Sequence, residues 1–238
     1  MSRWAIVRLV ATKDLQIERR SRVLLNQILP FAGITMVMFA FALDSKGVRT
    51  DEGTTGVLEL VAPGLVWLAT LFSLLVLVQR SFGVEADDGA LDALRVAGVD
   101  AAAIFWGKSI ALAVQMLVLE AVLVVAALLL YGAELPLAGL GLLVLTLVTA
   151  TCGLACVGTL YGGLTAGYSG RETLLPLLVL PVVAPVLIGA TRAVESAFGT
   201  DGVALAEGWP WIGLLAVFAI AFGVGGAIAF GPLVEDAP

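Results

Sequence analysis

Six long apolar stretches, at 23–43, 57–78, 103–130, 136–160, 173–191 and 209–230, limit what this chain can become. A bilayer core of about 30 Å is crossed by about 20 apolar residues in a helix, and each stretch is close to that length or longer. Transmembrane strands would instead alternate apolar and polar residues over segments of about 10. The run 118–130 does not alternate, so helices are expected. The chain is 60% hydrophobic and 13% charged, whereas soluble domains are about 45–50% apolar and about 25% charged. The reading is one all-α transmembrane domain over 1–238, with no room for a soluble catalytic unit.

Six spans return the chain to the side on which it began. Placing both termini in the cytoplasm puts Arg3, Arg8, Lys13, Arg19, Arg20, Arg22, Arg80, Arg95, Lys108 and Arg171 inside and leaves Lys46, Arg49 and Arg192 outside. That is ten of the 13 basic residues, as the positive-inside rule requires. The basic leader, the first apolar run and Ala40-Phe41-Ala42 imitate a cleavable signal peptide, but the leader and the run are both long for one. Residues 1–22 place Trp4, Val7 and Val10 at helical spacing among basic residues, which suits an interfacial helix and equally a solvated leader that fixes topology. The segments 44–56 and 192–208 read as outer connectors, and Trp209 and Trp211 as an interfacial anchor.

The densest charge cluster beyond residue 22 lies at 79–95. Asp87 or Asp88 is suited to an N-cap and Gly98 to a C-terminal stop. Asp88 and Asp92 near the start and Arg95 near the end agree with the helix dipole. Leu91 and Leu94 add an apolar stripe too small to form a core. A short surface helix within a cytoplasmic loop 79–100 is expected, either resting on lipid or serving as a docking knob. Asp100 is placed to cap the third span.

Within the spans, Glu120 is the least expected residue. It lies twelve positions after Lys108, about 18 Å along a helix, where a charge costs at least ~2.5 kcal/mol. It must face protein or a cavity, with Gln115, Thr146 or Thr149 as candidate hydrogen-bond partners; a proton-linked step, a substrate contact and a gate are the functional alternatives. Pro176, Pro181 and Pro185 interrupt one span and are candidates for kinks or gating, since each removes an amide donor. Gly158/Gly162 and Gly163/Gly167 have the GxxxG spacing of close helix packing. Cys152 and Cys156 have neither redox nor zinc spacing. The chain has no histidine, so the commonest metal ligand is missing, and no metal site is expected. Gly107-Lys108-Ser109 imitates a phosphate loop but lacks the first glycine and the strand. No catalytic residue emerges, and nothing points to nucleic acid.

Lys13-Asp14-Leu15, then Glu18-Arg19-Arg20-Ser21-Arg22, resembles the N-terminus of the CcmB family, permease subunits of the haem-exporter type ABC complex of cytochrome c maturation. The ordered set Trp67, Arg80-Ser81-Phe82, Glu85, Gly89-Ala90-Leu91, Leu94, Asp100, Gly107-Lys108 is similar too, as is Leu174-Leu175-Pro176 through Pro181 to Pro185-Val186. Gly98 departs from the proline of many members, and the third span lacks the proline often found after its acidic position. The resemblance implies an ABC exporter permease that pairs with a second copy and two ATPase subunits. It implies haem-handling membrane proteins and an outer-side haem chaperone as further partners, with haem as a handled or transported ligand rather than a resident cofactor. Arg80, Phe82, Glu85, Asp87, Asp88, Gly89, Leu91, Leu94 and Arg95 would then form the ATPase contact. An exporter permease for a lipid, drug or polysaccharide, and a membrane scaffold without transport, are the alternatives.

Overall fold

The structure is a computed structural model that describes residues 2–43, 47–50, 53–87, 98–168 and 170–235. An N-terminal helix α1 (Arg3–Ser21) precedes α2 (Leu29–Leu43), α3 (Val57–Asp87), α4 (Ala101–Leu130), α5 (Leu140–Thr165), α6 (Arg171–Phe198) and α7 (Leu205–Glu235). Six segments are long and apolar enough to cross a membrane: Leu24–Leu43, Val57–Gly83, Ala101–Leu130, Leu137–Thr165, Glu172–Phe198 and Leu205–Pro232. Each coincides with one of the apolar stretches.

The differences lie at the ends. The connector expected at 44–56 contains an antiparallel ribbon, β1 (Gly47–Thr50) and β2 (Gly53–Gly56), with Gly47 opposite Gly56. The all-α reading therefore needs this one small exception. The connector expected at 192–208 shrinks, because α6 runs on to Phe198 and α7 begins at Leu205. Arg192 and Glu195, three apart and 2.9 Å from each other, lie inside that extension. Helix α3 likewise continues to Asp87, so Gln79 to Asp87 prolong that helix. The surface helix expected at 88–97 lies outside the described residues.

Two local irregularities follow from proline and from charge. Pro30 has no amide hydrogen and its ring crowds the carbonyl four residues earlier. Immediately before it the chain widens into a π turn at Leu24–Ile28, where the Leu29 amide reaches back to the Leu24 carbonyl. The turn from α1 into this segment passes through Arg22 at φ 52°, a left-handed conformation. Glu18 holds it there, its Oε1 accepting the Leu24 amide at 2.6 Å.

Helix α5 lies at the centre, packed on α3, α4, α6 and α7. Its small residues make this approach geometrically feasible. Gly158 and Gly162 lie against Leu74, Val78 and Phe82 of α3, and Gly163 lies under Phe230 of α7. The GxxxG spacings at 158/162 thus serve packing within the chain. In α6 the buried face is Leu175, Val179, Val183, Val186 and Ala190. Pro181 and Pro185 fall on the exposed side.

Gly139, in the turn before α5, has no space for a side chain, since a Cβ there would overlap the Ala197 carbonyl of α6. Gly141, two residues on, faces open space. Gly139→Ala is expected to lower stability by about 1–3 kcal/mol and Gly141→Ala to leave it unchanged, measured by thermal unfolding of the purified protein in detergent.

Candidate functional site

Helix α1 does not simply rest on the membrane. Its face of Val7, Val10, Ala11 and Asp14, spaced by helical turns, is buried. It packs along the first turns of α4, with Val10 so close to Gly107 that any Cβ at 107 would overlap it. Arg3 pairs with Asp100 and Asp14 with Lys108, so the two helices run along their contact in the same sense.

Under this helix lies a cluster in which charge is buried against charge. Lys108 is 2% exposed and Asp14 8%. The ammonium is 3.2 Å from Asp14 Oδ2, donates to Ser81 Oγ at 3.3 Å and stands 4.5 Å from the Phe82 ring centre. Lys13 reaches the other Asp14 oxygen at 3.2 Å. Three elements meet here: α1 through Asp14, α3 through Ser81 and Phe82, α4 through Lys108. An unpaired buried charge would be strongly unfavourable, so each partner requires the other.

The node continues outward. A small cavity of about 40 Å³ is lined by Asp14, Ile17, Glu18, Leu77, Arg80, Ser81 and Gln115. That exceeds the about 10–15 Å³ a water needs, and polar groups line it from three helices. Two residues before Ser81, Gln79 donates its Nε2 to the Glu172 carbonyl of α6 at 3.1 Å. Glu172 lies four residues before Pro176, so its carbonyl is the one that proline leaves without an amide. Pro176 thereby creates an acceptor at the start of α6, and α3 supplies the donor.

These positions redistribute the residues expected at the loop contact. Phe82 is buried at 3% exposure against Gly162, and so serves the packing of α3 on α5 instead of presenting a surface. Arg80 is half-buried beside the cavity. Glu85 and Asp87 belong to the last turn of α3. Asp88, Gly89, Leu91, Leu94 and Arg95 lie outside the described residues. The Asp14–Lys108 pair was not foreseen, although its signal was present: a lysine at the head of an apolar span, and an acid in a basic helix.

Glu120 is fully buried, and its partner is a threonine of α5 other than those expected. Thr151 Oγ1 lies 2.8 and 2.7 Å from the two carboxyl oxygens. Thr146 and Thr149 instead donate to carbonyls of their own helix, Leu142 and Leu145. The carboxyl thus links α4 to α5 through a neutral hydroxyl. Cys152 is exposed and Cys156 buried, and neither forms a disulfide. Among the described residues no cluster of histidine, cysteine and carboxylate side chains has the makings of a metal site. Trp67 is buried with its indole N–H unpaired, at the wall of an outer groove that also includes Thr191, Arg192 and Glu195.

The CcmB protein family model matches residues 5–231 of this six-span chain. The chain belongs to the CcmB family. It is similar to a protein of Rhodobacter capsulatus named heme exporter protein B, at 30% identity over 202 residues, covering 84% of this chain and 86% of that one. The heme exporter protein B of Paracoccus denitrificans is 30% identical over 79% of this chain and 83% of its own. That of Haemophilus influenzae is 36% identical over 59% and 62%.

Removing one partner of the buried pair takes from the other its charged contact between α1 and α4. Lys108→Met and Asp14→Leu are each expected to lower stability by about 3 kcal/mol, and the double variant by much less, read by thermal unfolding in detergent. Glu120→Gln keeps a hydrogen-bonding group and is expected to retain the stability that Glu120→Leu loses; equal stability of the two would remove the Thr151 link from the account.

Proposed function

We propose that this chain is the permease subunit of an ABC-type haem-export complex acting in cytochrome c maturation, set in the bacterial inner membrane with both termini in the cytoplasm. The observation that carries this reading is the CcmB match across nearly the whole chain, together with relatives named heme exporter protein B that align over most of their own length. The charge partition supports the orientation. In this reading ATP is hydrolysed by two copies of a separate subunit, and a second permease copy completes the membrane part.

The inner-end contacts suggest how force would enter. ATPase closure acting on 79–100 would push the end of α3. Gln79 would pass that displacement to α6, and Ser81 and Phe82 would pass it to Lys108, hence to α4 and α1. A bundle repacks between discrete arrangements and does not stretch continuously. Movement at the loop would therefore shift four helix ends together. The haem-handling membrane proteins and the outer-side chaperone would then respond at the opposite face, either by receiving haem or by releasing a loaded chaperone.

Leu91→Asp with Leu94→Asp is expected to abolish copurification of the ATPase from native membranes while the chain still inserts. A deletion strain is expected to lack holo-cytochrome c, as read by haem staining, and to regain it with the wild-type gene. Normal holo-cytochrome c in the deletion strain would point to another cargo for the same fold, and purification without any ATPase would point to a scaffold.

A further inference from the structure

A groove of about 460 Å³ separates α1 from the head of α4, lined by Arg3, Trp4, Val7, Asp100, Ala102, Ala103, Trp106 and Ile110. Its two ends differ in chemistry. At the mouth, Arg3 Nε pairs with Asp100 Oδ2 at 2.6 Å, while Asp100 Oδ1 caps α4 through the Ala102 amide at 3.0 Å. Arg3 remains largely exposed, and a guanidinium has five N–H donors in all. A carboxylate accepts at about four lone-pair sites, so Asp100 also has capacity left. Further in, the walls are apolar, with two indoles: Trp4 is 75% exposed and Trp106 is partly so.

The groove opens onto a definite surface. Trp106, Ile110, Val114, Val118, Val122 and Val125 recur at helical spacing on α4, and all are exposed. In a membrane span such a stripe faces acyl chains. The groove heads that stripe at the first turns of α4, where α1 packs alongside it, and indoles favour headgroup depth in a membrane. A ligand fitting it has an anion and a cation side by side at one end and a hydrocarbon chain at the other.

We infer that this groove is a binding site for a phospholipid with a phosphoethanolamine headgroup. The phosphate sits on the remaining N–H groups of Arg3, the primary ammonium donates to Asp100, and one acyl chain passes between Trp4 and Trp106 toward Ile110 and Val114. A quaternary choline has no N–H to give Asp100, and the carboxylate disfavours a purely anionic headgroup. Ordinary lipid facing the bundle would show no such preference. The lipid would also bridge α1 to α4, adding to the attachment of α1.

The test uses the full chain in phosphatidylcholine nanodiscs titrated with acyl-brominated phosphatidylethanolamine, phosphatidylglycerol or phosphatidylcholine. It follows the tryptophan quenching that is lost on Trp4→Phe. The ethanolamine lipid is expected to quench with saturation, at a half-saturating mole fraction about tenfold below the other two, as one charge-assisted hydrogen bond warrants. Arg3→Gln, on an exposed side chain, is expected to raise that fraction about tenfold. Ala102→Phe, which fills the groove and spares Arg3 and Trp4, is expected to abolish the preference. Equal quenching by the three lipids, preference for phosphatidylglycerol, or a preference that survives Ala102→Phe would each overturn the assignment. None of these outcomes bears on the ATPase or on cytochrome c, so the site and the proposed function fail separately.

Discussion

A bilayer offers no hydrogen-bond partner, and most of this structure answers to that constraint. Every backbone amide and carbonyl at membrane depth must find its partner in the protein. Helices meet the demand internally, and the irregular places show how it is met where they cannot. Before Pro30 the chain opens into a π turn. At Pro176 the abandoned Glu172 carbonyl is taken up by Gln79 from another helix. Several hydroxyls do likewise: Thr70, Ser73, Thr146, Thr149 and Thr165 each return a hydrogen bond to their own helix. Thr151 turns instead to Glu120, because a buried carboxyl has the stronger claim.

The same scarcity of partners makes the few charged groups at the inner end informative. Lys108 and Asp14 stabilise each other where they are buried, and Ser81 and Phe82 also contact the ammonium. With Gln79 of α3 bonded to α6 and Glu18 at the turn into the first span, these contacts join α1, α3, α4 and α6 at one end of the bundle. The glycines of α5 bring the helices behind them to contact distance. A displacement applied to the end of α3 has polar links to follow to α4 and α6. Glu120, deeper in, ties α4 to α5 in the same manner.

Much of this was legible beforehand for a simple reason. Span position follows from the length and apolarity of each run, which is local information, and all six runs became membrane-length helices. The capping of α4 by Asp100 was local as well. The ends were misjudged where polar residues such as Arg192 and Glu195 satisfied each other within a helix and extended it. Phe82 was misread because its neighbours are charged, whereas its own ring is buried against Gly162. The partner of Glu120 was sought on the correct helix at the wrong turn, since helical phase between two spans is not written in either one.

The sequence by itself determined that this is a six-span helical membrane protein and which family it resembles. Those properties depend on composition and order along the chain. Only the tertiary structure decided that Asp14 meets Lys108 across 94 residues, that Gln79 serves the carbonyl exposed by Pro176, and that Arg3, Trp4, Asp100 and Trp106 enclose one groove. Each of these depends on how helices are rotated and offset against one another. That is set by the fit of small and large side chains at their contacts, and no single helix contains it.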